Sequence, residues 1–217
     1  MDLVTGVVKG IDAAWTVGTL VGGLDTGTVA ANTLYAIWLI KRSDTGVVDA
    51  LLSLSFTAPT MPANYDLKRL IGAVRTDATS DLVPFKQVGD HFTYLWNDTP
   101  VADIADASIT SLAWVTAAIL CPPDCLAHVR GMLSNATSSD PQDGNLYISA
   151  VPPAAWTGSS SALSAVVATG FDRLAGMVDV LTNNASQIRY AAAEISGAAS
   201  VEFYTVSFEM LTRRDAP

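Results

Sequence analysis

Charge is scarce in this chain. Only 15% of its 217 residues are Asp, Glu, Lys or Arg, and acids outnumber bases 21 to 12, for a formal net charge of −9. Nucleic-acid binding needs clustered cations that displace counterions from phosphates. The basic clusters here are only the pairs Lys41-Arg42, Lys68-Arg69 and Arg213-Arg214, each near the end of an expected strand, where a solvated charge is the plain explanation. No nucleic-acid partner is expected. Long apolar runs are missing as well. The longest, Leu112 to Leu120, has the length of a strand and falls short of the ~18–20 residues that cross a bilayer as a helix. No membrane insertion is expected. Met1-Asp2-Leu3 lacks a basic leader region, and no apolar segment with a cleavage site comes after it.

Cysteine and histidine are rarer still. Cys121 and Cys125 flank Pro122-Pro123-Asp124. A lone C-x3-C has no second ligand pair, and His91 and His128 complete no known zinc spacing, so neither metal nor cofactor is expected. The two cysteines are either a short-loop disulfide or two free thiols in a tight turn. Convincing segments of period 3.6 are absent, and so is any internal repeat of the kind that builds a long β-helix.

What the chain has is apolar and small. Half of the residues are hydrophobic, the mean hydropathy is +0.33, and Ala, Val, Ser, Thr and Gly dominate the remainder. This suits tightly packed strands, with some apolar surface buried against other subunits. From about Thr33 onward, short β-rich runs alternate with turn signals. The expected strands are 34–41, 47–56, 69–75, 83–88, 92–96, 108–120, 127–133, 146–150, 174–182, 186–194 and 201–211. Turns are marked by Ser43-Asp44-Thr45-Gly46, Pro59 to Asn64, Gln142-Asp143-Gly144-Asn145 and Asn183-Asn184, where Asn and Gly tolerate left-handed backbone angles. Many strands at short spacing predict an all-β fold, an antiparallel β-sandwich of jelly-roll type. The last strand has apolar residues on both faces and is expected to lie centrally or at a subunit contact. Residues 1–30 have no clear period. They are either an N-terminal arm that attaches the protein to a larger particle or the first strands, 4–8 and 15–21, of the sandwich that fills residues 31–217.

One ordered run of motifs says more. Asn32-Thr33-Leu34-Tyr35 through Ile40 is followed by Thr45-Gly46-Val47-Val48-Asp49, then Thr57-Ala58-Pro59-Thr60-Met61-Pro62 and Tyr65. Lys68-Arg69-Leu70-Ile71-Gly72, Arg75-Thr76-Asp77 and Pro84-Phe85-Lys86-Gln87-Val88-Gly89-Asp90 continue it. The run resembles the C-terminal β-sandwich domains of tailed-bacteriophage fibre, spike and related virion structural proteins. A weaker likeness lies in Met132-Leu133-Ser134-Asn135-Ala136 and in Leu181-Thr182-Asn183-Asn184-Ala185-Ser186-Gln187-Ile188-Arg189-Tyr190. The close departs from the family. A Gly-Trp-x-Asp-x-Arg ending is common there, whereas this chain has Ser207-Phe208-Glu209-Met210-Leu211-Thr212-Arg213-Arg214. In all, the resemblance covers about Gly22 to Arg214.

The resemblance implies a non-enzymatic virion protein, commonly homotrimeric, with other virion proteins as partners and a host-surface glycan or protein as receptor. It implies synthesis in a host cytoplasm and release by lysis, which agrees with the missing export signal. Capsid decoration, cementing or a head fibre is the alternative, favoured by a short chain that starts at Met1. Loops 134–145 and 152–161 are the expected carriers of specificity. Within them, Trp156 can stack on a sugar ring while Asp143 and Asn145 bond its hydroxyls. Alternatively, Trp156 folds onto the core or into a subunit seam, as buried aromatic anchors do, and Trp38, Trp96 and Trp114 are expected in the core. No catalytic residues are expected. Neither histidine sits beside a nucleophile elbow, and His128 is expected to be a structural strand residue. The acid pairs Asp103 with Asp106 and Asp140 with Asp143 invite a glycosidase reading, but both occupy turn-like stretches where acids cap backbone amides. The stretch Asp140 to Asn145 is likewise a poor match to a calcium loop and reads as a turn.

Overall fold

A computed structural model describes residues 6–95, 101–109, 114–135, 144–151, 164–168, 173–193 and 199–211. Regular structure among them consists of fifteen β-strands and no helix, so the protein is all-β. The chain divides into two compact units, Met1–Val83 and Pro84–Pro217.

The first unit contains β1 (Lys9–Ala14), β2 (Val21–Leu24), β3 (Leu34–Lys41), β4 (Val48–Ser53) and β5 (Leu67–Arg75) in one sheet, ordered β1-β2-β4-β3-β5. β3 pairs antiparallel with β4 and β5, while the β1–β2 and β2–β4 pairs are parallel. Of the expected strands 4–8 and 15–21, the described residues 6–8 and 15–20 are not strand, and β1 and β2 stand at 9–14 and 21–24 instead. Trp15, partly buried, leaves the strand to pack against the core. It packs edge-on against Tyr65, with centroids 5.2 Å apart, beside a cluster of Trp38, Ile40, Leu51 and Tyr65. The two indoles donate their ring N–H, Trp15 to the Ala50 carbonyl and Trp38 to the Ser55 carbonyl, each at 3.0 Å. Those bonds satisfy the polar edge of each ring, so that its burial leaves no donor stranded. β1 and β2 approach so closely that a Cβ on Gly22 would collide with the Ala14 carbonyl oxygen.

Several residues of the run from Asn32 to Asp90, and Asp25 ahead of it, hold the framework. Gly46 has φ +75°, a left-handed angle that costs glycine little, and its N–H donates to the Arg42 carbonyl to close the β3–β4 turn. Asp49 is buried and forms an ion pair with Lys9. Asp25 accepts hydrogen bonds from Thr60 N and Ser53 Oγ at 2.9 and 2.6 Å, which pins the Thr57–Pro62 loop to β4. Ile71 is the extra residue of a bulge, since Ile37 pairs with Gly72 and Trp38 with Leu70. Arg75 is fully buried. Thr76 Oγ1 donates to the Ala30 carbonyl and accepts from Thr33 N. Asp77 caps the next turn by accepting from the N–H groups of Thr79 and Asp81.

The second unit contains β6 (Phe85–Val88), β7 (His91–Tyr94), β8 (Ile104–Ile109), β9 (Val115–Ala118), β10 (Leu126–Asn135), β11 (Gly144–Ala150), β12 (Ser164–Ala168), β13 (Arg173–Leu181), β14 (Gln187–Ala193) and β15 (Ala199–Glu209). One sheet runs β13-β10-β15-β7-β6 with β8 also on β15, and a second runs β12-β11-β14-β9. Every pairing in both sheets is antiparallel. The sheets pack face to face as a sandwich. Tyr190 of β14 meets Phe203 of β15 with centroids 4.9 Å apart. Gly131 of β10 leaves room for Leu146 and Ile148 of β11, both of which a Cβ there would meet at 3.1 Å.

β15 is central, as its sequence predicts. Its inward phase changes partway along. Val201, Phe203 and Thr205 are buried, then Phe208 and Met210. The cause is a bulge at Val206, since His128 pairs with Ser207 but Val129 with Thr205, and an extra residue reverses the two-residue alternation. The single expected strand 108–120 is instead β8 and β9, which belong to different sheets. β12 has no counterpart among the expected strands.

Candidate functional site

The glycan-contact residues proposed from sequence are only partly placed. Trp156 and Asp143 lie outside the described residues, as do Asp140 and Trp96. Asn145 lies on β11, where its backbone pairs opposite Val167 and Ala193. Trp114 precedes β9, half-buried, with the Arg189 guanidinium 4.4 Å from its ring centroid.

The other acid pair is committed to the scaffold. Asp103 Oδ2 accepts from the backbone N–H groups of Thr205 and Leu120, at 2.9 and 3.3 Å, and from the Thr205 hydroxyl. Asp106 accepts from the Tyr190 hydroxyl at 3.1 Å. Burial, then that hydrogen bond, pushes the Tyr190 phenol up to about 12.

The cysteines are free thiols, both buried. A hydrogen bond to Cys125, then burial, pushes the Cys121 thiol well above the ordinary thiol range. Thr182 Oγ1 accepts from Cys125 N at 3.1 Å and donates to the Pro122 carbonyl at 3.1 Å, which closes the turn around them. Their chemistry is that of a packed corner.

One constellation is not announced by sequence spacing. His91 and His128 are brought together with Glu209 on the outer face of the six-stranded sheet, with one ligand atom from each lying within 4.8 Å of the others. The placement follows from hairpin geometry and strand register. The β6–β7 turn is the two-residue Gly89-Asp90, with Gly89 at φ +60° and Val88 paired opposite His91, as tight hairpins require. That register sets His91 opposite Glu209 on β15. On the other flank His128 of β10 stands opposite Ser207, and Asp179 of β13 stands opposite His128. Residues directly opposite share a face, so the four side chains cross four neighbouring strands in a row.

The distances are short. His91 Nδ1 is 3.2 Å from Glu209 Oε1, and His128 Nε2 is 3.8 Å from the same oxygen. His128 Nδ1 lies 2.6 Å from Asp179 Oδ1, and His91 Nε2 lies 3.1 Å from Thr93 Oγ1. The two imidazole rings are 5.3 Å apart, centroid to centroid. Below them the sheet is apolar: the buried Phe92 stacks on Phe208 at 4.9 Å. Both histidines are visible in the sequence. Their meeting depends on β15, whose residues lie more than seventy positions after His128, so local pattern does not reveal it.

No protein-family model matches the chain, and no curated protein matches it.

Proposed function

We propose that the chain is a non-enzymatic structural subunit of a tailed-bacteriophage virion, of the fibre or spike type, that contributes to host-surface attachment. One observation carries the reading. The motifs that resemble such domains, from Asn32 to Asp90, include the buried ion-paired Asp49, the core residue Tyr65, the buried Arg75 and the turn cap Asp77. A likeness spread over residues that hold a sheet together is a likeness of fold, which is harder to acquire by chance than one of surface composition.

Other features support it. Asp103 and Asp106 have their carboxylates engaged by Thr205 and Tyr190, which leaves that pair no free acid and base for glycoside hydrolysis. The outer face of the six-stranded sheet exposes Met177 and Leu181, apolar area of the sort that subunit contacts cover. A homotrimer with other virion proteins as neighbours would use such area. The adhesive mechanism is a rigid β scaffold whose connecting segments 136–143 and 152–161 would carry specificity, with Trp156 and Asp143 as proposed glycan contacts. Asn145, expected in the first loop, belongs instead to β11. Weak sites repeated around an axis gain strength by avidity. The protein would be made in the host cytoplasm and carried on the released particle.

The test is immunogold electron microscopy of intact virions with antibody to this chain. Label at the tail tip or baseplate supports attachment. Label spread over the head replaces it with capsid decoration or a head fibre. No label on particles that contain the denatured antigen removes both surface roles.

A further inference from the structure

The cluster on the outer face of the six-stranded sheet has no part in the sandwich core and none in the proposed attachment loops. Asp179 accepts from His128 Nδ1 at 2.6 Å. That bond fixes the proton on Nδ1 and leaves Nε2 with a lone pair. This Nε2 is buried and has no hydrogen-bond partner, an arrangement that a purely structural histidine avoids. It faces a carboxylate oxygen of Glu209 that His91 Nδ1 also approaches. When His91 donates its Nε2–H to the Thr93 hydroxyl, its Nδ1 likewise presents a lone pair.

The geometry points to a binding site for a divalent transition-metal ion of the zinc class, held by His91 Nδ1, His128 Nε2 and Glu209 Oε1, with water completing the coordination. Zinc bonds of about 2.0–2.2 Å in a tetrahedron place neighbouring ligand atoms roughly 3.3–3.6 Å apart. The separations of 3.2 and 3.8 Å to Glu209 bracket that range. The remaining gap between the two imidazoles closes by rotation of the His91 side chain, which is 39% exposed and has room to turn. Asp179 is the positioning residue. A carboxylate behind a metal-bound imidazole sets its tautomer and raises its basicity. Two imidazoles select zinc, nickel or copper over magnesium and calcium, which prefer oxygen ligands. The ion would tie the four-residue β7 to β15 and β10 across the middle of the sheet. Nothing in the site depends on the virion reading.

The experiment uses the full chain stripped of metal by chelation, titrated with zinc chloride by calorimetry and followed by thermal unfolding. About one zinc per chain is expected, with a Tm that rises with zinc concentration and does not rise with magnesium chloride. His91→Ala and His128→Ala should each weaken zinc binding about tenfold or more, and Asp179→Asn about 10–100-fold with the stoichiometry kept. Because His91 is well exposed, His91→Ala keeps the test decisive if His128→Ala fails to fold. Cys121→Ser with Cys125→Ser should leave zinc affinity unchanged, and the cobalt-substituted protein should show no thiolate charge-transfer band. Absence of zinc binding, unchanged affinity in His91→Ala, or loss of binding in the cysteine variant would each overturn the proposal.

Discussion

Lys9 and Asp49 meet at 3.0 Å with their side chains 4% and 2% exposed, an ion pair sealed inside the first unit. Asp49 also accepts from the backbone N–H groups of Gly18 and Ala50, and Lys9 donates to the Thr16 carbonyl. Removing either partner strands a buried charge, which costs about 3–5 kcal/mol. Lys9→Met and Asp49→Asn should each lower the urea midpoint of the first unit by a corresponding amount. The double variant should lose less than the sum of the two, because neither charge is then left alone. Strict additivity in that cycle would show that the pair is not coupled.

Tyr190 gives a pH signature. Its phenol is raised from the ordinary 10.0 to about 12, so the folded chain keeps this proton over a range in which the unfolded chain loses it. The associated stability is present in full below pH 10 and is lost as pH rises towards 12. Tyr190→Phe should remove that alkaline decline. It should also cost about 1.5 kcal/mol near neutrality, through loss of the hydrogen bond to Asp106. Thermal melts of both proteins from about pH 8 upward would check this, and identical alkaline slopes would contradict it.

At Gly131 the sandwich of the second unit has no spare space. A Cβ there meets Leu146, Ile148 and Phe203, each at 3.1 Å. Alanine asks those side chains to give by a few tenths of an ångström, whereas valine requires repacking. Gly131→Val should destabilise by about 1–3 kcal/mol and Gly131→Ala by less, measured by chemical unfolding monitored through near-ultraviolet dichroism.

Cys121 and Cys125 are each 1% exposed, and reactivity belongs to accessible thiolates. Both should resist a thiol-specific disulfide reagent in the native protein and react once urea unfolds the second unit. Rapid native labelling of either would mean that the corner opens.

Much of this architecture is legible in the residues. Strand β3 has the bounds its apolar run predicts, Leu34 to Lys41, because the motif is bracketed by turn residues whose backbone angles are constrained. The centrality of β15 follows from apolar residues on both faces. The failures share a cause. The run 108–120 mixes Ser and Thr with apolar residues and holds no Gly, Pro, Asn or Asp, so no turn residue in it marks where the chain leaves one sheet for another. The phase reversal at Val206 arises from pairing with β10, and no residue type announces it. β12, Ser164–Ala168, comes after a serine-rich stretch that reads as loop. The histidine cluster is the extreme case, since its members are set side by side by registers among β7, β10, β13 and β15. The spacing rules that identify compact metal sites do not reach across such distances.

The position of β15 also orders the events of synthesis. All five strands of the first sheet have been made by Arg75, so that unit can fold while the ribosome is still translating the second. The larger sheet cannot. β10, β7 and β8 find a common neighbour only when residues 199–209 emerge, and until then each presents an unpaired edge to any other strand nearby. Translational pausing or truncation just ahead of Ala199 would therefore leave one finished unit attached to an adhesive, unfinished one.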